Sequence, residues 1–402
     1  MKKNALLESL IEWLAYGASA TGSLFSQYFV FCGFTSIEIG FLAATGPLIS
    51  FISNPFWIGM ASKKGFKLTL PTIVAGAALG IWLVFVLPGF WGKFIGLSVS
   101  CFFTTAVTPM IETRIIKSIK IKNIRYDLIR LWGTIGYGTL ALCAGILVKI
   151  GFHMIFITQS VMFLVIFLVS LRFKDVEEKN ENKEIHKNDE NIVMDKKSGS
   201  GMKMALLGEK GSLKMFAIMM VFSALSLASA SFNSVYLPLF ISQRGYDISS
   251  AGISFSLMAF CEIPFLLFAE KIVKKIGNFL LLTSAMFILG LKIFLVPHTD
   301  SLMTLLLVLL LNSWNFIVIY YSIYNYIHFK LPQKHVMKAQ TIFWMAQQGL
   351  AFLAGSIGGG FLIDHFGVEN TFSGVGIFLF TLSIIITAFY LLIRRSFLKK
   401  AI

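Results

Sequence analysis

The sequence predicts an all-α integral membrane protein with twelve transmembrane helices in two six-helix, pseudo-symmetric bundles. Three observations carry that expectation: scarce charge, repeated apolar runs of membrane length, and the sidedness of the basic residues. Of 402 residues, 56% are hydrophobic and 14% charged, and the mean hydropathy is +0.77. A soluble chain carries roughly 25% charged residues, so about half of that charge is missing. Long stretches contain no charge at all, among them Phe94 to Ile111, Leu131 to Val148 and Met215 to Gln243. Each approaches the roughly 20 residues that cross a hydrocarbon core. The 40 Phe and 33 Gly fit the same setting, because Gly lets membrane helices approach closely.

The spans are expected at 12–32, 37–60, 69–89, 94–116, 131–150 and 153–171, then at 215–240, 249–269, 278–297, 302–327, 339–363 and 372–393. Residues 1–171 form the first bundle and 215–402 the second. Between them, 172–214 reads as a disordered cytoplasmic linker, charged and of low complexity before a Ser-Gly-Ser-Gly stretch. With the N-terminus inside, all of the 35 Lys and Arg fall at cytoplasmic ends except five. Lys93, Lys149 and Arg244 lie outside, and Arg130 and Lys292 lie within or at the edge of spans. This is the positive-inside pattern, and it places both termini in the cytoplasm. The net charge of +15 is therefore topological, attracted to anionic headgroups, and speaks against nucleic-acid binding. The N-terminus lacks a small-residue cleavage site, so the first apolar segment is expected to be retained.

The halves carry a faint internal repeat. A shift of 212 residues places Gly40 on Gly252, Lys63 on Lys275 and Gly65 on Gly277. With the six-linker-six layout, this supports two similar bundles around a central midplane site.

Several signatures are absent from the sequence. There is no GxxxxGK[ST] phosphate loop, no HExxH and no GxSxG, which argues against an ATP-driven pump or a membrane hydrolase. Cys32, Cys101, Cys143 and Cys261 sit in apolar runs without metal or disulfide spacing, so no cofactor or metal is expected.

Charge inside a span costs from about 2.5 kcal/mol upward, so each such residue is a functional candidate. Glu112 and Arg130 flank a basic turn (Lys117, Lys120, Lys122, Arg125) centred on residue 121. Equal distance from the turn of a helical hairpin puts them at one depth, where they can pair. They serve either as an interfacial salt bridge or as a solute site, with Arg130 presenting its planar fork and Glu112 orienting it. Glu262 lies mid-span. It is either a proton-exchanging carboxyl or a structural hydrogen-bonding group. Lys292 either pairs with Glu262 or extends outward along its own stem. Polar residues Gln27, Asn233, Asn312, Asn315, Tyr324, Gln340, Gln347 and Gln348 each read as interhelical hydrogen-bonding groups. Asn312 and Asn315, at i and i+3 on one helix face, are the best cavity-lining candidates among them.

Four segments carry a family resemblance. They are Glu38-Ile-Gly-Phe-Leu-Ala-Ala-Thr-Gly-Pro-Leu-Ile with Asn54-Pro-Phe-Trp, Arg130-Leu-Trp-Gly-Thr-Ile-Gly-Tyr, Glu262-Ile-Pro, and Gly355-Ser-Ile-Gly-Gly-Gly-Phe-Leu-Ile-Asp. Together they resemble the major facilitator superfamily, in the branch of the phenylpropionate permeases, the nucleoside–proton symporters and, more distantly, lactose permease. The likeness covers the chain apart from the linker.

It implies a monomeric cell-membrane transporter that carries a small polar solute with a proton by alternating access. The solute would be a sugar, a nucleoside or an aromatic or organic acid. Glu112 and Arg130 reproduce the 18-residue spacing of lactose permease's sugar-contacting pair. Glu262 resembles its span-eight acid, and Lys292 falls where it has a basic residue. Two departures stand out. Asn312 and Asn315 replace a titratable pair in span ten, and Ser62 replaces the usual Asp after span two. The alternatives are an efflux pump for amphipathic compounds, although span five lacks the Gly-Pro antiporter motif, and a non-transporting membrane sensor.

Overall fold

The computed structural model describes residues 3–122, 126–171 and 208–400. Among these the secondary structure is helical throughout. We number the helices α1 (Lys3–Gly22), α2 (Phe25–Phe31), α3 (Ser36–Lys64), α4 (Phe66–Val86), α5 (Gly89–Lys122), α6 (Tyr126–Leu147) and α7 (His153–Ser170) in the first half. The second half holds α8 (Gly208–Gln243), α9 (Ser250–Phe260), α10 (Ile263–Ile276), α11 (Asn278–Leu295), α12 (Leu302–Leu309), α13 (Phe316–Lys330), α14 (Gln333–Met345), α15 (Phe352–Phe366) and α16 (Val368–Lys400).

Among the described residues ten helical segments are long and apolar enough to cross a membrane. The two other expected spans, α1 continued by α2 and α6, are less apolar because they carry Glu8 and Glu12, and Arg130. Lipid-facing surfaces carry exposed apolar side chains, for example Leu79, Val86, Ile385 and Phe389. The expected linker, 172–214, lies outside the described residues up to 207. Gly208 to Lys214 are instead the first turns of α8, since a helix can continue past the hydrocarbon where its charged residues reach water.

Four expected spans are interrupted, the first of them at Ser23 and Leu24 between α1 and α2. Span eight breaks between Phe260 and Ile263. Pro264 explains the break, because its ring clashes with the carbonyl four residues earlier, that of Phe260, and it supplies no N–H. Span ten narrows to a 3₁₀ turn over Leu310–Trp314, after which Asn315 takes φ −115° and ψ −104°. Its Asn-Ser-Trp-Asn sequence favours side chains that compete with backbone hydrogen bonds. Span eleven holds a π-helical turn, Ala346–Ala351, a distortion common at functional sites.

The repeat is present in the backbone. Gly65 (φ 80°, ψ 159°) and Gly277 (φ 86°, ψ 153°) turn the chain identically between α3 and α4 and between α10 and α11. Positive φ of this kind favours glycine.

The two halves meet at one end. There α6 packs on α9, and α3 packs on α15, with α2 against α8. Both main crossings need glycine. A Cβ on Gly252 would stand 2.5 Å from Gly145 Cα, and one on Gly40 would stand 2.5 Å from the Ser356 carbonyl oxygen. The repeat-related residues Gly40 and Gly252 thus occupy equivalent crossings. Around them, the Tyr236 hydroxyl lies 2.6 Å from Ser356 O and 3.0 Å from Ser36 O, and Gln27 Nε2 donates to Ile248 O at 2.7 Å. One buried apolar core runs through this end of both halves, from Leu24, Ile39 and Ala144 to Ala251, Phe255 and Phe372. A separate core, built from Ile11, Trp57, Ile73, Met110 and Ile166, fills the other end of the first half alone.

The crossings give a direct expectation. Gly252→Val should destabilise the folded protein by roughly 1–3 kcal/mol through overpacking, seen as a lower unfolding temperature in detergent. Gly374→Ala, where an added Cβ meets nothing within 4 Å, should leave that temperature unchanged or raise it.

Candidate functional site

The first half assembles a polar cluster on α1. Glu8, Glu12 and Tyr16 recur every fourth residue, so they lie along one helix face. Glu8 accepts a hydrogen bond from Ser118 Oγ at 2.6 Å, and Glu12 is fully buried. The Tyr16 hydroxyl donates to Glu112 Oε1 at 2.5 Å. The Arg130 guanidinium stacks over the Tyr16 ring, 4.0 Å from its centroid, a cation–π contact strengthened by desolvation. Glu112 and Arg130 are therefore brought together as their spacing predicts, but Tyr16 links them. Sequence reasoning missed Tyr16, Glu8 and Glu12. For the two acids the signal was available, since two acids four residues apart in an otherwise apolar segment are unusual; a first span starting at residue 12 leaves Glu8 outside and Glu12 at its edge.

The second half gathers Glu262, Lys292 and Asn312. Lys292, 1% exposed, donates from Nζ to Asn312 Oδ1 at 3.0 Å. Asn312 Nδ2 donates to Glu262 Oε1 at 2.9 Å and to Met258 O at 3.2 Å. The partners fix the amide's orientation, because an ammonium only donates and a carboxylate only accepts. Lys292 and Glu262 thus communicate through a neutral amide instead of pairing directly. The break before Pro264 places Glu262 at the junction of α9 and α10, and the 3₁₀ turn aims Asn312 at it.

Asn315 does not share a face with Asn312, because the backbone departs from helix at that residue. Its amide is buried without a hydrogen bond. Of the other polar candidates, Gln27 bonds across the halves as above, Asn233 and Gln347 are buried, and Tyr324 stacks on Tyr320. Gln340 is half-buried. The Gln348 side chain lies outside the described residues, as do those of Lys117, Lys120, Lys122 and Arg125.

A cavity of about 450 Å³ is lined mostly by α1, α2, α3 and α5, with Ser234, Val235 and Phe352 from the second half. Its wall is rich in hydroxyls, including Ser19, Ser23, Thr104 and Thr108, and carries Gln159 and several aromatic rings. No charged side chain lines it. The polar face of α1 connects cavity and cluster, since Ser19 and Ser23 follow Tyr16 on that face. Ser23 hydrogen-bonds Tyr137 of α6, and Tyr137 and Arg130 both lie within electrostatic reach of Glu262. Among the described residues no cluster of His, Cys, Asp and Glu could hold a metal ion.

Ion pairs cover the joined end. Lys149 Nζ lies 3.1 Å from Asp247 Oδ1, linking the loop after α6 to the loop before α9. Arg244 lies 2.8 Å from Glu369 and donates to Pro297 O at 2.6 Å. The hydroxyl and N–H of Ser249, with Lys149, hold the Asp247 carboxyl down at about 2.

The chain matches the model of the MFS_1 like family over residues 16–374. It is 26% identical over 245 residues to an uncharacterized transporter, YwbF, of Bacillus subtilis (strain 168). It is 23% identical over 253 residues to a maltose permease of Geobacillus stearothermophilus. These stretches cover 60% and 61% of this chain. The chain spans a little over half the length of these curated relatives, 56% and 59%. Among solved structures, the nucleoside transporter NupG superposes with a TM-score of 0.78 at 16% identity, over 96% of this chain and 99% of that one. A bacterial homologue of the human lysosomal transporter Spinster, inward-facing and unoccupied, gives 0.66 at 13% identity over 99% and 98%. At these identities the likeness to solved structures is one of fold.

Two expectations follow from the geometry. Asn312→Ala should cost roughly 1.5–3 kcal/mol, because it strips buried Lys292 of its acceptor. The double variant Lys292→Met/Glu262→Gln should lose less in the same thermal-unfolding assay. For Asp247 the folded carboxyl is depressed, so its contribution is complete above about pH 4 and fades as pH falls toward about 2. The difference in unfolding temperature between wild type and Asp247→Asn should therefore be constant from about pH 8 to about pH 5; a change within that window would refute the assignment.

Proposed function

This chain belongs to the MFS_1 like family, and from that premise we propose that it takes up a small polar solute together with a proton. It is a multi-pass membrane transporter and not an enzyme. What supports the finer reading is the arrangement of the halves: joined at one end by glycine crossings, with a separate apolar core in the first half and a hydroxyl-rich cavity that both halves line. With both termini cytoplasmic, as the basic residues indicate, the joined end is the outer one and this conformation is open inward. Alternating access then rocks the halves about the midplane site.

Arg130 and Glu112 meet the solute, with Tyr16 holding them at one depth. Glu262 exchanges the proton, and Asn312 passes its change of charge to Lys292. The hydroxyl-rich cavity wall supports a hydroxylated solute, and the maltose permease and the nucleoside transporter among the similar proteins make sugars and nucleosides the first classes to test. The chain acts as a monomer in the cell membrane.

A thermal-shift screen of the detergent-purified protein against sugars, nucleosides and aromatic acids tests the site. One class should raise the unfolding temperature, since a ligand bound only by the folded state stabilises it. Arg130→Ala should weaken that ligand by roughly 10- to 100-fold. An unchanged shift would leave Glu112, Tyr16 and Arg130 a structural cluster. In proteoliposomes, Glu262→Gln should abolish accumulation of the solute while sparing its exchange; normal accumulation would remove Glu262 from coupling.

A further inference from the structure

Glu12 stands out among the described acidic residues. Its exposure is 0%, and neither carboxyl oxygen accepts a hydrogen bond. Its neighbour one turn earlier, Glu8, accepts a hydrogen bond from Ser118 at Oε1. One turn later, Tyr16 spends its hydroxyl on Glu112 and its ring on Arg130. The groups facing Glu12 can be taken element by element, since α1 packs on α5, α6 and α7. From α5 comes Glu112, with Arg114 also buried on that helix and Ser118 bonded to Glu8. From α6 comes Arg130, and both Glu112 and Arg130 are within electrostatic reach. The one titratable residue of α7, His153, lies at that helix's far end. An ionised carboxylate buried without donors is strongly disfavoured, so the resting form here is the neutral acid. Among the described residues the cation acting on Glu12, Arg130, lies over the Tyr16 ring.

We propose that Glu12 is a second proton-binding carboxyl of the transport cycle, neutral in this conformation and ionised when Arg130 leaves the Tyr16 ring to pair with it. The step is a simple acid–base exchange. The carboxylate takes one proton from water, its charge disappears, and Arg130 loses an acceptor and returns to Tyr16 and the solute side. In the reverse step the proton returns to water and the guanidinium pairs with the carboxylate. Proton occupancy at Glu12 thereby decides whether Arg130 is offered to solute. The proposal rests on the reading that the cycle is proton-coupled, but it assigns a residue on the opposite half from Glu262.

Infrared difference spectroscopy on the full-length purified protein tests it, read at the carbonyl stretch of protonated carboxylic acids between neutral and alkaline buffer. Wild type should show an acid component that disappears as pH rises. Glu12→Gln should lose that component while folding normally, because the amide copies the neutral acid. Arg130→Gln should retain it to higher pH, since the pairing cation is gone. Glu262→Gln should leave it in place, so the two carboxyls can fail separately. A spectrum unchanged by Glu12→Gln, a component that does not respond to pH, or a Glu12→Gln protein that cannot fold would each overturn the proposal.

Discussion

Two close backbone crossings hold this molecule together, Gly145 on Gly252 and Gly40 on Ser356. In a bilayer, lipid tails are as apolar as leucine, so helices gain little from hydrophobic contact and associate through tight packing and interhelical hydrogen bonds. Where side chains shrink to glycine, α6 meets α9 and α3 meets α15 at backbone distance, and Tyr236 and Gln27 add hydrogen bonds between the halves. Among the described residues no glycine crossing onto backbone of this kind joins the other ends, where the first half keeps its own apolar core. The asymmetry follows from where glycine falls. It leaves two bundles that can separate at the joined end only by breaking a compact, local set of contacts.

The charges answer a second constraint. Each charged group inside the spans must be partnered, neutralised or placed where it acts. Lys292 meets Asn312, Asn312 meets Glu262, and Arg130 lies over Tyr16. Both clusters sit at helix irregularities or on a helix whose polarity sets it apart from its neighbours. Glu262 stands at a proline break and Asn312 in a 3₁₀ turn, while α1 and α6 carry acids and an arginine. Irregular backbone at membrane depth is tolerated where it lines a cavity or is buried in protein, and Asn312 and Asn315 are buried.

Much of this was legible in the sequence. Charge-free runs and basic turns marked the spans, and three residues of the repeat marked equivalent turns and crossings. Glu112, Arg130, Glu262 and Lys292 stood out because charge is rare between the turns. The breaks within spans eight, ten and eleven were not legible from hydropathy, which averages over them, although Pro264 was a local warning. The role of Tyr16 could not be read at all, because a tyrosine in a membrane helix is unremarkable until its neighbours are known. Asn312 and Asn315 looked equivalent at i and i+3, yet the backbone turns between them and only Asn312 reaches the charged groups. Glu8 and Glu12 could have been caught by counting acids upstream of the first apolar run.

Distance measurements between spin labels test the central claim that the halves rock about the joined end. One pair belongs at the separate ends, on Lys64 and Lys275, and one at the joined end, on Ile150 and Asp300, with the native cysteines replaced. The account predicts that the two distances change in opposite directions as pH moves from alkaline to acidic and as solute is added. Distances that stay fixed, or that lengthen and shorten together, would contradict it.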